Sequence, residues 1–160
     1  MRVILITGAS SGIGAAAVRA LAGPNTALAL HARKNRVGLE KVASFADGAG
    51  ARTLLLEGDL AAAGTGARLV EETAKAFGRF DVLVSNAGFA DRRPVGEVDR
   101  AAWDASLASM TTAFFEMVTA AKPRLIESGP HGRVVAVSSF VAHAFARGIM
   151  SFPEIGRAHV

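Results

Sequence analysis

An α/β fold built on a parallel sheet is what this sequence predicts, on three observations. Short apolar runs recur five times along its 160 residues, with helix-like stretches between them. The first run leads into a glycine-rich turn, Thr7-Gly8-Ala9-Ser10-Ser11-Gly12-Ile13-Gly14, which opens an Ala-rich stretch. Apolar residues make up 51% of the chain, enough for strands buried on both faces. Alternation of this kind winds the sheet with right-handed crossovers into a Rossmann-like, doubly wound parallel sheet.

In chain order, Arg2–Thr7 reads as the first strand and Ile13–Ala22 as the first helix. Thr26–His31 is the second strand, followed by a helix over roughly Val37–Phe45. Arg52–Glu57, a helix Thr65–Phe77, and Phe80–Ser85 come next. A long helical stretch from Arg100 to about Glu127 precedes the fifth strand, Arg133–Ser138. Gly23-Pro24 and Ser128-Gly129-Pro130 punctuate helix ends, as residues that cannot continue a helix should. No internal repeat, linker or low-complexity tract divides the chain, so one domain is expected.

Strand, glycine turn and helix in that order form the front of a dinucleotide site. Gly8 permits the tight turn, Gly12 lets backbone N–H groups approach a pyrophosphate, and Gly14 lets the helix pack closely. The helix N-terminus then offers unpaired N–H groups and a positive dipole end to phosphate. Enzymes that prefer NAD usually end the second strand with an acid that holds the ribose 2′-hydroxyl. Here that strand ends His31-Ala32-Arg33-Lys34, with no acid. Arg33 suits charge-assisted hydrogen bonds to a 2′-phosphate, which favours NADP(H) over NAD(H). The plainer reading of Arg33 is a solvated loop arginine.

The spacing Thr-Gly-x-x-x-Gly-x-Gly resembles the glycine motif of the short-chain dehydrogenases/reductases, in which Ser10, Ser11 and Ile13 also border the cofactor. The resemblance extends over residues 2 to about 152. It implies that Asp59 of Asp59-Leu60 accepts from the adenine amine; Asp59 also reads as an N-cap for the next helix. Ser85-Asn86-Ala87-Gly88 is similar to the family's Asn-Ala-Gly motif, which lines the central cleft beside the cofactor ribose. Ser106 stands where the family usually has an asparagine that holds a water in the proton relay; it reads equally as an ordinary helix residue. Ser139, the second serine of Val137-Ser138-Ser139, matches the hydroxyl that orients the substrate carbonyl. A strand-end serine is otherwise a turn former. Ser106 and Ser139 are thus the expected catalytic residues.

The family next needs Tyr-x-x-x-Lys, tyrosine as acid/base and lysine lowering its pKa. Phe152 and Gly156 stand at those positions, and the chain contains no tyrosine. The last seven residues, Glu154-Ile155-Gly156-Arg157-Ala158-His159-Val160, are what translation of GAG ATC GGA AGA GCA CAC GTC, a common sequencing-library adapter, would give; the alternative is a genuine short tail. The expectation is therefore an NAD(P)-binding domain over 1–153, a sheet truncated after the fifth strand, and a non-native tail over 154–160. Such a chain would be inactive itself and would expose a hydrophobic strand edge that favours aggregation. The intact protein would act on a carbonyl or alcohol and pair into a homo-oligomer. The alternative is a non-catalytic dinucleotide-binding module or sensor.

Other partners find less support. A net charge of +4 is modest and dispersed, with no basic stripe interleaved with aromatics, so nucleic acid is not expected. No apolar run approaches the roughly 18 residues of a membrane span. The absence of cysteine excludes disulfides and thiolate metal sites and fits a reducing cytoplasm. His31, His131, His143 and His159 lack metal-ligand spacing, so surface or packing roles are expected and no metal. Asp91-Arg92-Arg93 reads as a solvated charge run or a contact for an acidic substrate group, and Phe114-Phe115 and Met117-Val118 as core or an oligomer face.

Overall fold

Parallel strands with helices on both faces must bury every side chain, which is why these strands are continuously apolar rather than alternating. The computed structural model describes residues 1–91, 93 and 96–139. In it β1 (Arg2–Ile6), β2 (Thr26–Ala32), β3 (Arg52–Glu57), β4 (Val82–Ser85) and β5 (Arg133–Ala136) form one sheet in the order β3-β2-β1-β4-β5. All four pairings are parallel, with Ile4 opposite Leu28 on one side and Val82 on the other. The chain steps outward from β1 to β3, then returns to the far side of β1. That reversal opens a crevice at the carboxyl ends of β1 and β4.

Alternate strand residues serve opposite layers. Ile4, Ile6, Leu28 and Leu30 pack with Val18 of α1 (Gly12–Leu21) and Leu39 and Val42 of α2 (Arg36–Gly48). Leu5, Ala29 and Leu83 pack with Leu69 of α3 (Thr65–Phe77) and Met117 and Ala121 of α5 (Ala113–Glu127). Each fully buried Leu or Ile contributes roughly 1.5–3 kcal/mol.

The element order and types are those expected, with three differences that have physical causes. β4 starts at Val82 because Asp81, fully buried, turns its carboxylate back onto the N–H of Val3 at 2.8 Å. β5 stops at Ala136, although the Val137 N–H still reaches the Ser85 carbonyl at 2.9 Å. The long helix is not uniform: α4 (Arg100–Leu107) passes through a π-helical segment, Ala108–Thr112, into α5. Such bulges insert a residue and re-aim the face that follows. β5 forms an edge among the described residues, with Val134 and Val135 41% and 47% exposed. No helix among them is long and apolar enough to cross a membrane.

Candidate functional site

The crevice is a cavity of about 620 Å³, and its first wall is the glycine turn, Gly8 through Ile13. Gly8 has φ +66° and Gly12 φ +53°, the left-handed region that L side chains avoid. A Cβ on Gly8 would stand 2.9 Å from the Ala87 Cα, and one on Gly14 would overlap the Gly8 carbonyl. So α1 and the loop after β4 close on the turn because neither glycine has a side chain. Ser11 occupies the N-cap of α1 without a side-chain capping bond, and no acid stands in the first turn. The helix's first N–H groups and dipole therefore face the cavity, a site for an anion.

The loop after β4 forms the second wall. Thr7, wholly buried, accepts the N–H groups of both Asn86 and Ala87 at its Oγ1, each at 3.0 Å. Asn86 in turn donates from Nδ2 to the Thr7 carbonyl at 2.9 Å and to the Gly8 carbonyl at 3.3 Å. These bonds lock Asn86, Ala87 and Gly88 beside the glycine turn, where all three line the cavity. Beneath Gly88 packs Met110 of the π segment, its sulfur 3.4 Å from where a Cβ would lie.

The third wall comes from the ends of β2 and β3. Arg33, 60% exposed, sets its Nη1 4.0 Å from Asp59 Oδ2, and both line the cavity with buried Leu60. Asp59 Oδ1 accepts the Ala61 N–H at 3.0 Å. Asp59 does not cap α3, contrary to one expectation: the helix starts after Gly64, whose N–H is taken by the Glu116 carboxylate at 3.0 and 3.2 Å. His31, 1% exposed, is bonded through Nε2 to the Gly58 carbonyl at 3.0 Å. Burial above all, and then the nearby Arg68 guanidinium, hold the imidazole pKa below its ordinary value against the pull of the Gly58 carbonyl and Asp59, so the ring is neutral.

Every expected cofactor residue except Gly14 lines the cavity, and Gly14 lies directly behind Gly8. The two serines expected in catalysis are placed differently. Ser106 is buried in α4 and does not line the cavity; Ser109, in the π segment, does, while its Oγ donates to the Ser106 carbonyl at 3.2 Å. Ser139 follows β5 and is half-buried. Phe152, Gly156, His143, His159 and Arg92 lie outside the described residues. Asp91 and Arg93 are paired bidentately, and Arg93 also reaches Asp99, so the charges there are mutually spent. Thr7, His31 and Ser109 belong to the site beyond the residues that the sequence singles out; of the three, only Thr7, adjoining Gly8, carries a signal there, and it lies in its position. Among the described residues no three His, Asp or Glu side chains group as a metal site would.

The geometry fits a dinucleotide: a Cβ-free cradle at a helix N-terminus for the pyrophosphate, with an exposed arginine rather than an acid just after β2. Comparison with known proteins agrees. A family profile described as short chain dehydrogenase matches residues 2–151. L-rhamnose 1-dehydrogenase (NAD(P)(+)) of a Sphingomonas species is 33% identical, over 88% of this chain and 56% of its own. D-threitol dehydrogenase of Mycolicibacterium smegmatis is 34% identical, over 88% and 54%. A 3-oxoacyl (acyl-carrier-protein) reductase of Agrobacterium tumefaciens, solved with NADP bound, superposes with a TM-score of 0.90 at 28% identity, over 99% of this chain and 60% of that one. The chain thus spans a little over half the length of these relatives.

Proposed function

This chain belongs to the short-chain dehydrogenase family, and we propose that residues 1–153 are the NADP(H)-binding unit of an oxidoreductase that interconverts a carbonyl and an alcohol. The observation that carries the reading is the cradle: Gly8 and Gly14 closed against Asn86 by Thr7, with Arg33 beside it at the end of β2 where NAD-preferring enzymes carry an acid. A bound nicotinamide would supply or accept hydride at the substrate carbon. Gly8, Ser10, Ser11, Gly12 and Ile13 receive the pyrophosphate on backbone N–H groups. Arg33 takes the 2′-phosphate, and Asp59 and Leu60 border the adenine. Asn86, Ala87 and Gly88 border the second ribose, and Ser139 offers its hydroxyl to the substrate oxygen as charge develops there.

Acid/base transfer in this family falls to a tyrosine, and the 160 residues contain none, so we expect no turnover by this chain. For the intact protein we propose a homo-oligomer, and a reducing cytoplasm as its compartment, consistent with a chain free of cysteine. The same cradle without a tyrosine also supports a second reading, a non-catalytic dinucleotide-binding module or sensor.

Fluorescence titration of the purified chain with NADPH and NADH tests the cofactor reading. NADPH should bind more tightly, and Arg33→Ala should weaken NADPH about tenfold or more while leaving NADH unchanged, the loss of charge-assisted bonds to phosphate. A folded sample that binds neither dinucleotide sinks the reading. NADPH-dependent reduction of any carbonyl by this chain overturns the expected inactivity.

A further inference from the structure

His31 is bonded to two walls of the cavity at once. Its carbonyl accepts the N–H of Ala9, in the glycine turn, at 2.8 Å. Its ring reaches the carbonyl of Gly58, at the end of β3, at 3.0 Å. A carbonyl can only accept, so Nε2 carries the proton and Nδ1 is bare. That Nδ1 is buried and has no hydrogen-bond partner among the described residues. Packing alone does not account for the imidazole: its neighbours in β2, Ala27 to Leu30, are all apolar, and a leucine would bring no unpaired polar atom of its own.

The bond to Gly58 does account for it. Two successive carbonyls are gripped just before Asp59: Arg68 donates to that of Glu57 at 2.7 Å, and His31 to that of Gly58. A Cβ at Gly58 would come within 2.6 Å of Arg68 Nη2, so a side chain there would displace the guanidinium that holds Glu57. We propose that His31 is a positioning residue for the adenosine side of the cleft, a neutral imidazole whose Nε2–H holds the Gly58 peptide and thereby sets Asp59 and Leu60 against the ligand. The proposal rests on the dinucleotide reading above, and adds to the residues named there one in the cavity lining that aligns them.

The test uses 2′,5′-ADP, which carries the adenosine end alone, with NADPH beside it. His31→Leu removes the donor and keeps the bulk; His31→Gln places an amide N–H at about the reach of Nε2. His31→Leu should bind 2′,5′-ADP about tenfold more weakly, the loss of one buried hydrogen bond, and His31→Gln should return within about threefold of the unaltered chain. A folded His31→Leu that binds as tightly as the unaltered chain overturns the proposal. So does a folded His31→Gln that binds as weakly as His31→Leu, and if His31→Leu does not fold, His31→Gln must still meet its threefold limit. An unaltered chain that binds neither ligand fails the dinucleotide reading itself, before His31 is in question.

Discussion

Thr7 and Asn86 hold each other through both backbone and side chain: the Asn86 N–H donates to Thr7 Oγ1 at 3.0 Å, and Asn86 Nδ2 to the Thr7 carbonyl at 2.9 Å. Since the same hydroxyl also accepts the Ala87 N–H, Thr7→Val would leave two backbone donors unpaired in a protein interior. Unfolding in urea should show a loss of about 2–3 kcal/mol, and Thr7→Ser, which keeps the oxygen, should recover most of it. NADPH affinity should fall with Thr7→Val even where the fold survives, because the backbone of Asn86 and Ala87 loses its anchor to the turn.

Gly14 and Gly23 make a controlled pair. A Cβ at Gly14 meets the Gly8 carbonyl and the Asn86 amide, whereas one at Gly23 meets nothing within 4 Å. Gly14→Ala should destabilise by about 1–3 kcal/mol through overpacking and abolish dinucleotide binding. Gly23→Ala should be neutral or stabilise by up to about 1 kcal/mol through the unfolded state. Thermal melts with and without NADPH separate the two.

Asp81 secures the end of the sheet remote from the cleft. Burial pushes its carboxyl pKa up, but hydrogen bonds from Arg79, Ser128 and the Val3 N–H outweigh that and hold it below the ordinary value. Asp81→Ala strands those donors and should cost about 3 kcal/mol, read by urea unfolding. Its contribution is complete at neutral pH and is lost only in strong acid, as pH falls through the lowered pKa. NADPH affinity of the folded variant should be unchanged.

His31 titrates in the opposite sense. Burial above all, and Arg68 on α3, oppose its charge, while the Gly58 carbonyl and Asp59 favour it, and the net shift is downward. Below the ordinary value of 6.5 the unfolded chain takes up a proton that the folded chain refuses. Stability should therefore decline as pH falls from about 6.5, by up to about 1.4 kcal/mol per pH unit, until the folded ring also titrates. In His31→Gln this component of the decline should be missing, and a curve parallel to that of the unaltered chain would refute it.

The strands and the turn were legible because their causes are local. Val3 to Ile6 is apolar because it is covered on both faces, and Gly8 and Gly12 are glycine because of their own φ. What could not be read depends on partners far along the chain. Nothing near Thr7 announces that it will meet Asn86, 79 positions on. Nothing near Asp59 shows that Glu116 will serve the start of α3 in its place. Ser109 of the π segment, not Ser106, reaches the cavity, and an even helical periodicity across 100–127 cannot show an inserted residue. His31 looked like packing, and it is packed; its bond to Gly58 needs β3 in register beside it.

The strand order also has a consequence for synthesis on the ribosome. β1 can pair with β2, and β2 with β3, as soon as residue 57 has emerged, since these pairings run in chain order. The other side of β1 must wait for β4, whose neighbour Asp81 closes on Val3 from 78 positions away. A nascent chain thus displays its glycine turn complete in sequence but open on one side, and closing so long a loop is entropically costly. Asn86, which shuts that side, comes only after four strands and three helices in the chain. A nascent polypeptide halted short of it would carry the full nucleotide motif and hold no nucleotide.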